Sequence, residues 1–212
     1  MKSILKLGIA TILGCFTMSA TAGIIVQESA IGVLSSQESG VSIIDFEDGL
    51  CGYASCSGDY QVRLNSDGSV NQSAPPFQAT PIGERWLTVP NPQSNGSASF
   101  GLGGSYDYFG LFWGSIDSYN TLGFYNNNAL VGDFTGSDLA PLLADGNQTA
   151  WSSNRYINFY FTDGDVFDEV RLTSTRFAFE TDNHAFGNVP EPSVLALFAA
   201  GLFGIRFARR KA

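Results

Sequence analysis

Side chains able to do chemistry are scarce in this chain, and their spacing excludes most of the usual sites. His184 is the single histidine among 212 residues. Hydrolysis by a Ser-His-Asp arrangement therefore has one candidate base, and no G-x-S-x-G elbow accompanies it. Close to the end of the central region, His184 reads as a solvated linker residue. A zinc site built on Cys51 and Cys56 needs two further ligands, for which only His184 is at hand. Gly101-x-Gly103-Gly104 lies among strand and turn residues with no helix to follow, so it is not a phosphate cradle. Carboxylates remain: Glu180 and Asp182 stand two apart at the end of the last predicted strand, and glycoside hydrolysis requires only two such groups.

The elements that must position these residues are strands. Charged residues make up 15% of the chain and aromatics 13%, with 24 Gly. That leaves ample apolar surface to bury, against disorder, and a vocabulary of turns rather than of helical bundles. Ten strands are predicted between Val41 and Asp182: Val41–Phe46, Tyr60–Leu64, Arg85–Val89, Ala98–Leu102, Tyr108–Trp113, Asn120–Tyr125, Leu130–Phe134, Tyr156–Phe161, Phe167–Thr173 and Phe177–Thr181. With no βαβ rhythm they imply an all-β fold, an antiparallel jelly-roll-like β-sandwich. Asn65 to Gly83, with Pro75, Pro76 and Pro81, reads as a long surface loop, and Ser137 to Leu143 as a single helical turn.

On such a fold the first and last strands lie side by side. The first ends in Asp45-Phe46-Glu47-Asp48-Gly49 and the last in Glu180-Thr181-Asp182-Asn183. Glu47 and Asp182 are thus expected to converge and, with carbonyls and water, to hold a structural Ca2+; no other cofactor is required. Trp86, Trp113 and Trp151 could offer rings to a sugar. Trp113 reads as core, whereas Trp151, among Gln148, Thr149, Ser152 and Ser153, is the candidate glycan contact.

Charge excludes one class of partner. Between Gly23 and Val189 there is no Lys, and five Arg face 19 carboxylates, about −14. Such a surface repels nucleic-acid phosphates, so no nucleic acid is expected as a partner.

The two ends read as addresses. Residues 1–22 form a signal peptide: Lys2 and Lys6, the apolar run Leu7 to Met18, then Ala20-Thr21-Ala22 before the cleavage point. Ile12-Leu13-Gly14-Cys15 offers a rival processing event, acylation at Cys15. Export leaves Cys51 and Cys56 as the mature pair, read as a local disulfide of an oxidising compartment. Residues 23–189 form the β-sandwich domain. Residues 190–212 hold Pro190-Glu191-Pro192, the apolar run Val194 to Ile205 and the basic tail Arg206, Arg209, Arg210 and Lys211. The stretch 194–208 spans about 22 Å as a helix against roughly 30 Å of hydrocarbon, a short anchor with its basic end on the cytoplasmic side.

This order of motif, short hydrophobic helix and Arg-rich tail resembles the PEP-CTERM sorting signal of Gram-negative bacteria. The resemblance implies an exosortase and signal peptidase as partners. It also implies transient inner-membrane insertion through residues 194–208, cleavage near Pro190, Glu191 and Pro192, and release to the cell surface or extracellular matrix. Phe109 to Asn120, Leu122 to Tyr125 and Phe167 to Asn183 are similar to the central pattern of PEP-CTERM surface proteins, which implies a jelly-roll-like sandwich exposed at the cell surface and carries over no catalytic residues. Glu180-x-Asp182 resembles the start of the E-x-D-x-x-E strand of some jelly-roll glucanases, but Ala185 stands where the third acid belongs. The sequence therefore reads as a non-enzymatic exported protein associated with exopolysaccharide or biofilm. A carbohydrate-binding module is the alternative, and a glycan-active hydrolase ranks below it.

Overall fold

The computed structural model describes residues 19–21, 23–66 and 72–189. Period-two alternation builds two antiparallel sheets that stack as a sandwich on one aromatic core. The strands, in chain order, are β1 (Ser19–Thr21), β2 (Ile24–Glu28), β3 (Ser42–Ile44), β4 (Ser55–Gly58), β5 (Gln61–Leu64), β6 (Arg85–Val89) and β7 (Gly96–Tyr106). They continue as β8 (Tyr108–Gly114), β9 (Asn120–Asn126), β10 (Ala129–Thr135), β11 (Arg155–Phe161), β12 (Phe167–Ser174) and β13 (Phe179–Gly187). The large sheet runs β1-β2-β11-β8-β13-β6-β5, with β3 also paired to β13; the small sheet runs β10-β9-β12-β7-β4.

All ten predicted strands are present, and the all-β sandwich stands. Three further strands escape the period-two reading: β1 falls within the residues read as a signal peptide and pairs with β2, β2 is almost continuously apolar, and β4, Ser-Cys-Ser-Gly, has no apolar stripe. The predicted helical turn appears as a 3-10 turn at Gly136–Leu139, where the Asp138 carboxylate accepts a hydrogen bond from the Thr135 amide at 2.8 Å.

The core explains the loose alternation of the central strands. In β8 and β11 the inward residues Phe109, Leu111, Trp113, Ile157, Phe159 and Phe161 fill the space between the sheets. Phe124, from the small sheet, meets the rings of Phe109, Phe134, Phe159, Phe161 and Phe167 at centroid distances of 5.0 to 6.3 Å. The outward residues of the same large-sheet strands are aromatic too, because that face is also covered. Tyr108, Phe112 and Tyr156 are buried there beneath chain from the loops. Gly110 sits among them, and a β-carbon at that position would come within 2.5 Å of both the Tyr108 and Tyr156 hydroxyls.

Two segments form the cover. In residues 29–41, Ser36 Oγ lies 2.7 Å from the Tyr108 hydroxyl, the Leu34 carbonyl accepts from Asn183 Nδ2 at 3.1 Å, and Glu38 accepts from the Tyr160 hydroxyl at 2.8 Å. Residues 72–84 form the other. The sequence read this stretch as a surface loop, and it does lack strands. Ser73, Ala74, Ala79 and Thr80 are nonetheless buried, so it is a plug packed onto the sheet.

Candidate functional site

Strand β13 carries the residues with the chemistry, and its local geometry decides which way each one points. Asp182 lies opposite Phe112 and Ala185 opposite Gly110, so three steps along β13 match two along β8. The extra residue is a β-bulge, with Asn183 at φ +50°. Glu180, Asp182 and Ala185 therefore share the outer face with Phe112 and Gly110. Phe179, Thr181, His184 and Phe186 face the core.

Glu180 and Asp182 are 4% and 2% exposed beneath the 72–84 plug. Glu180 Oε1 accepts a hydrogen bond from the Ala74 amide at 3.0 Å. Asp182 Oδ2 accepts from the Thr80 hydroxyl, and its Oδ1 from the Asn183 amide at 2.7 Å. Burial pushes both acids up to about 8, outweighing the hydrogen bonds that favour their charged forms. Both carboxyls are sealed from water and biased toward their protonated forms at neutral pH. They anchor the plug to the sheet, and neither presents an ionised base or nucleophile to solvent.

The sequence reading of His184 is corrected by the structure. Because β13 runs on to Gly187 instead of ending at Thr181, His184 is a core residue, fully buried and paired opposite Ile44 of β3. Its Nδ1 meets the Tyr53 hydroxyl and its Nε2 the Thr181 hydroxyl. Phe46 and Phe109 pack edge-on at 5.0 and 5.5 Å. Burial lowers its pKa to about 3, so the ring is neutral, with one nitrogen donating and the other accepting. Tyr53 belongs to the short loop closed by the Cys51–Cys56 disulfide. That bond holds the turn from which Tyr53 reaches Phe100, Phe186 and His184.

The remaining sequence candidates fall in separate places. Glu47 stands exposed at the end of the β3 turn, where its Oε1 accepts from the Arg85 amide at 2.8 Å. Its charge is one of the smaller causes that raise Asp182. Among the described residues, no three His, Cys, Asp or Glu side chains gather as a metal-binding group. Trp86 and Trp113 are buried, which removes both from any sugar platform. Trp151 is half-buried, edge-on to Phe77 at 5.3 Å and to Phe112 at 6.4 Å. Pro190, Glu191, Pro192 and the run 194–208 lie outside the described residues. No helix of the described residues is long and apolar enough to cross a membrane.

Sequence reasoning missed Tyr53, Thr80 and Thr181 as partners of this strand. The available signal was the mixture of small, apolar and hydroxyl residues in Ser73-Ala74 and Ala79-Thr80, which a solvated loop does not need.

Comparison with known proteins adds the address. Residues 188–211 match the model of the PEP-CTERM protein-sorting motif. No curated protein matches the chain. One similar solved structure is CpGH89CBM32-6 produced by Clostridium perfringens, at TM-score 0.31 and 12% identity, covering 61% of this chain and 91% of that one. Another is the Agl-KA catalytic domain, at TM-score 0.41 and 16% identity, covering 76% of this chain and 30% of that one. Likenesses of that size carry no functional argument. The chain thus carries the PEP-CTERM protein-sorting motif over residues 188–211, the mark of an exported protein handled by an exosortase.

Proposed function

We propose that the chain is a non-enzymatic component of the extracellular matrix of a Gram-negative bacterium, released at the cell exterior and held there by exopolysaccharide. The observation that carries this reading is the sorting motif at residues 188–211, placed directly behind a sandwich whose acids and imidazole serve its own packing. Protonated, covered carboxyls and an alanine at the third outward position of β13 support a binding role over glycoside hydrolysis, which needs an ionised carboxylate and water at the sugar. The runner-up is a carbohydrate-binding module acting through the half-exposed Trp151 and Phe77 rings.

Size fractionation of the matrix tests the proposal. The processed chain should elute with the high-molecular-weight polysaccharide and shift to the size of the free domain once periodate has degraded the polymer. Elution as the free domain from intact matrix would overturn the reading.

A further inference from the structure

The outward side chains of the small sheet follow from its register. Phe100, Leu122, Phe124, Val170 and Leu172 fill the core, so their strand neighbours point away from it. One rank across four strands reads Thr135, Thr121, Thr173, Ser97. The next reads Asp133, Gly123, Arg171, Ser99, Ser57, and the third Leu130, Tyr125, Glu169, Gly101, Ser55. Neighbouring positions within a rank are about 4.8 Å apart, the spacing of strands. Ser55 and Ser57 are exposed, and Ser97, Ser99, Thr121, Thr173 and Tyr125 are half-exposed.

This face is built of hydroxyls and glycines around one ordered ring. A β-carbon on Gly123 would come within 3.0 Å of Tyr125 Cε2, so the tyrosine ring lies across that glycine. The Arg171 guanidinium sits 4.1 Å from the ring centroid, donates from Nε to Ser99 Oγ at 2.9 Å and pairs with Glu169 at 2.8 Å. Its charge is thereby neutralised within the face.

We infer that the outer face of the small sheet is a binding surface for a neutral polysaccharide chain. Ranked hydroxyls donate to and accept from sugar hydroxyls, and a ring held in place by its neighbours suits the C–H face of a sugar. An anionic polymer is disfavoured by the domain's charge of about −14 and by the pairing of Arg171. A protein partner would want an apolar centre, whereas the exposed large apolar side chain of these ranks, Leu130, stands on the edge strand β10. The inference rests on the matrix reading above and gives it a surface.

The test uses processed protein recovered from the matrix and freed of polymer. It is run on native gels containing the matrix polysaccharide, separated by anion exchange into neutral and anionic fractions. The neutral fraction should retard the protein. Thr173→Glu and Ser57→Glu, which place charges on the face at outward positions, should each weaken retardation about tenfold, since a charge is costly to cover. Ile82→Glu, at a site 81% exposed and outside these ranks, should leave it unchanged. Melting temperatures confirm that all three variants fold. Retardation by the neutral fraction with Thr173→Glu and Ser57→Glu unaffected would overturn the face and leave the matrix reading standing. Loss on Trp151→Ala alone would do the same and return the site to Trp151. Retardation by the anionic fraction only would overturn the ligand class. Retardation by neither fraction would overturn the matrix reading, and the face with it.

Discussion

Raising the pH from about 5 to 9 is expected to release the 72–84 plug and destabilise the domain by several kcal/mol, as the buried Glu180 and Asp182 ionise. Both acids are raised in the folded protein to about 8. In the unfolded chain they titrate near 4. A group whose folded pKa is the higher one stabilises fully below its unfolded value and loses that contribution as the pH climbs through the folded value. Each acid contributes a slope of about 1.4 kcal/mol per pH unit between the two values, and the pair about 3. His184 acts in the opposite sense. Its folded value of about 3 lies below the unfolded one, so its contribution is complete above about 6.5 and is lost as the pH falls toward 3. The sum places maximal stability at about pH 4 to 5. Opening starts at the plug, because freeing Ala74 and Thr80 rehydrates both carboxylates while the sandwich core stays packed. Calorimetry from pH 4 to 9 should show a melting temperature that falls steadily above pH 5. Glu180→Gln with Asp182→Asn should remove most of that fall. A level wild-type melting temperature from pH 6 to 9 would show that these acids are not held neutral.

Replacing His184 by Ala is expected to cost about 4 to 6 kcal/mol, a large part of the stability of a domain this size. The substitution opens a cavity among Phe46, Phe109 and Tyr53, and it strands two buried hydroxyls, on Tyr53 and Thr181. Tyr53→Phe alone should cost about 1 to 3 kcal/mol, because it leaves the imidazole Nδ1 unpaired. In the His184→Ala background the same change should cost less, since the stranded hydroxyl goes with it. The difference is the coupling energy of the pair, read by urea denaturation of the four proteins. Equal costs in both backgrounds would mean that the Tyr53–His184 contact contributes nothing to stability.

These two predictions also mark where the sequence is legible and where it is not. The apolar stripe of Arg85–Val89 places β6 to the residue, and the Tyr108–Trp113 run places Trp113 in the core, because burial of one face fixes strand position and register. The pairing of first and last strands follows from the fold class and is present as β3 against β13. His184 was misplaced for a physical reason. Its neighbours Asp182 and Asn183 are polar, so the alternation ends at Thr181 in the sequence, whereas in the fold a bulge places them, the plug satisfies Asp182 and the 29–41 segment satisfies Asn183. The plug was illegible for the same reason: its proline-rich composition describes a loop, and only the acids beneath it reveal that the loop is docked. The hydroxyl face of the small sheet was likewise hidden, since isolated Ser and Thr form ranks only once strands distant in sequence are paired.

The central claim is export followed by trimming, with the sandwich from β2 to β13 kept and β1, inside the predicted signal peptide, removed. Intact-mass measurement of the protein recovered outside the cells tests it most directly. The account predicts a chain that begins at Gly23, ends near Pro190–Pro192 and carries Cys51 and Cys56 as a disulfide. A recovered chain whose mass still includes residues 194–208 would contradict it.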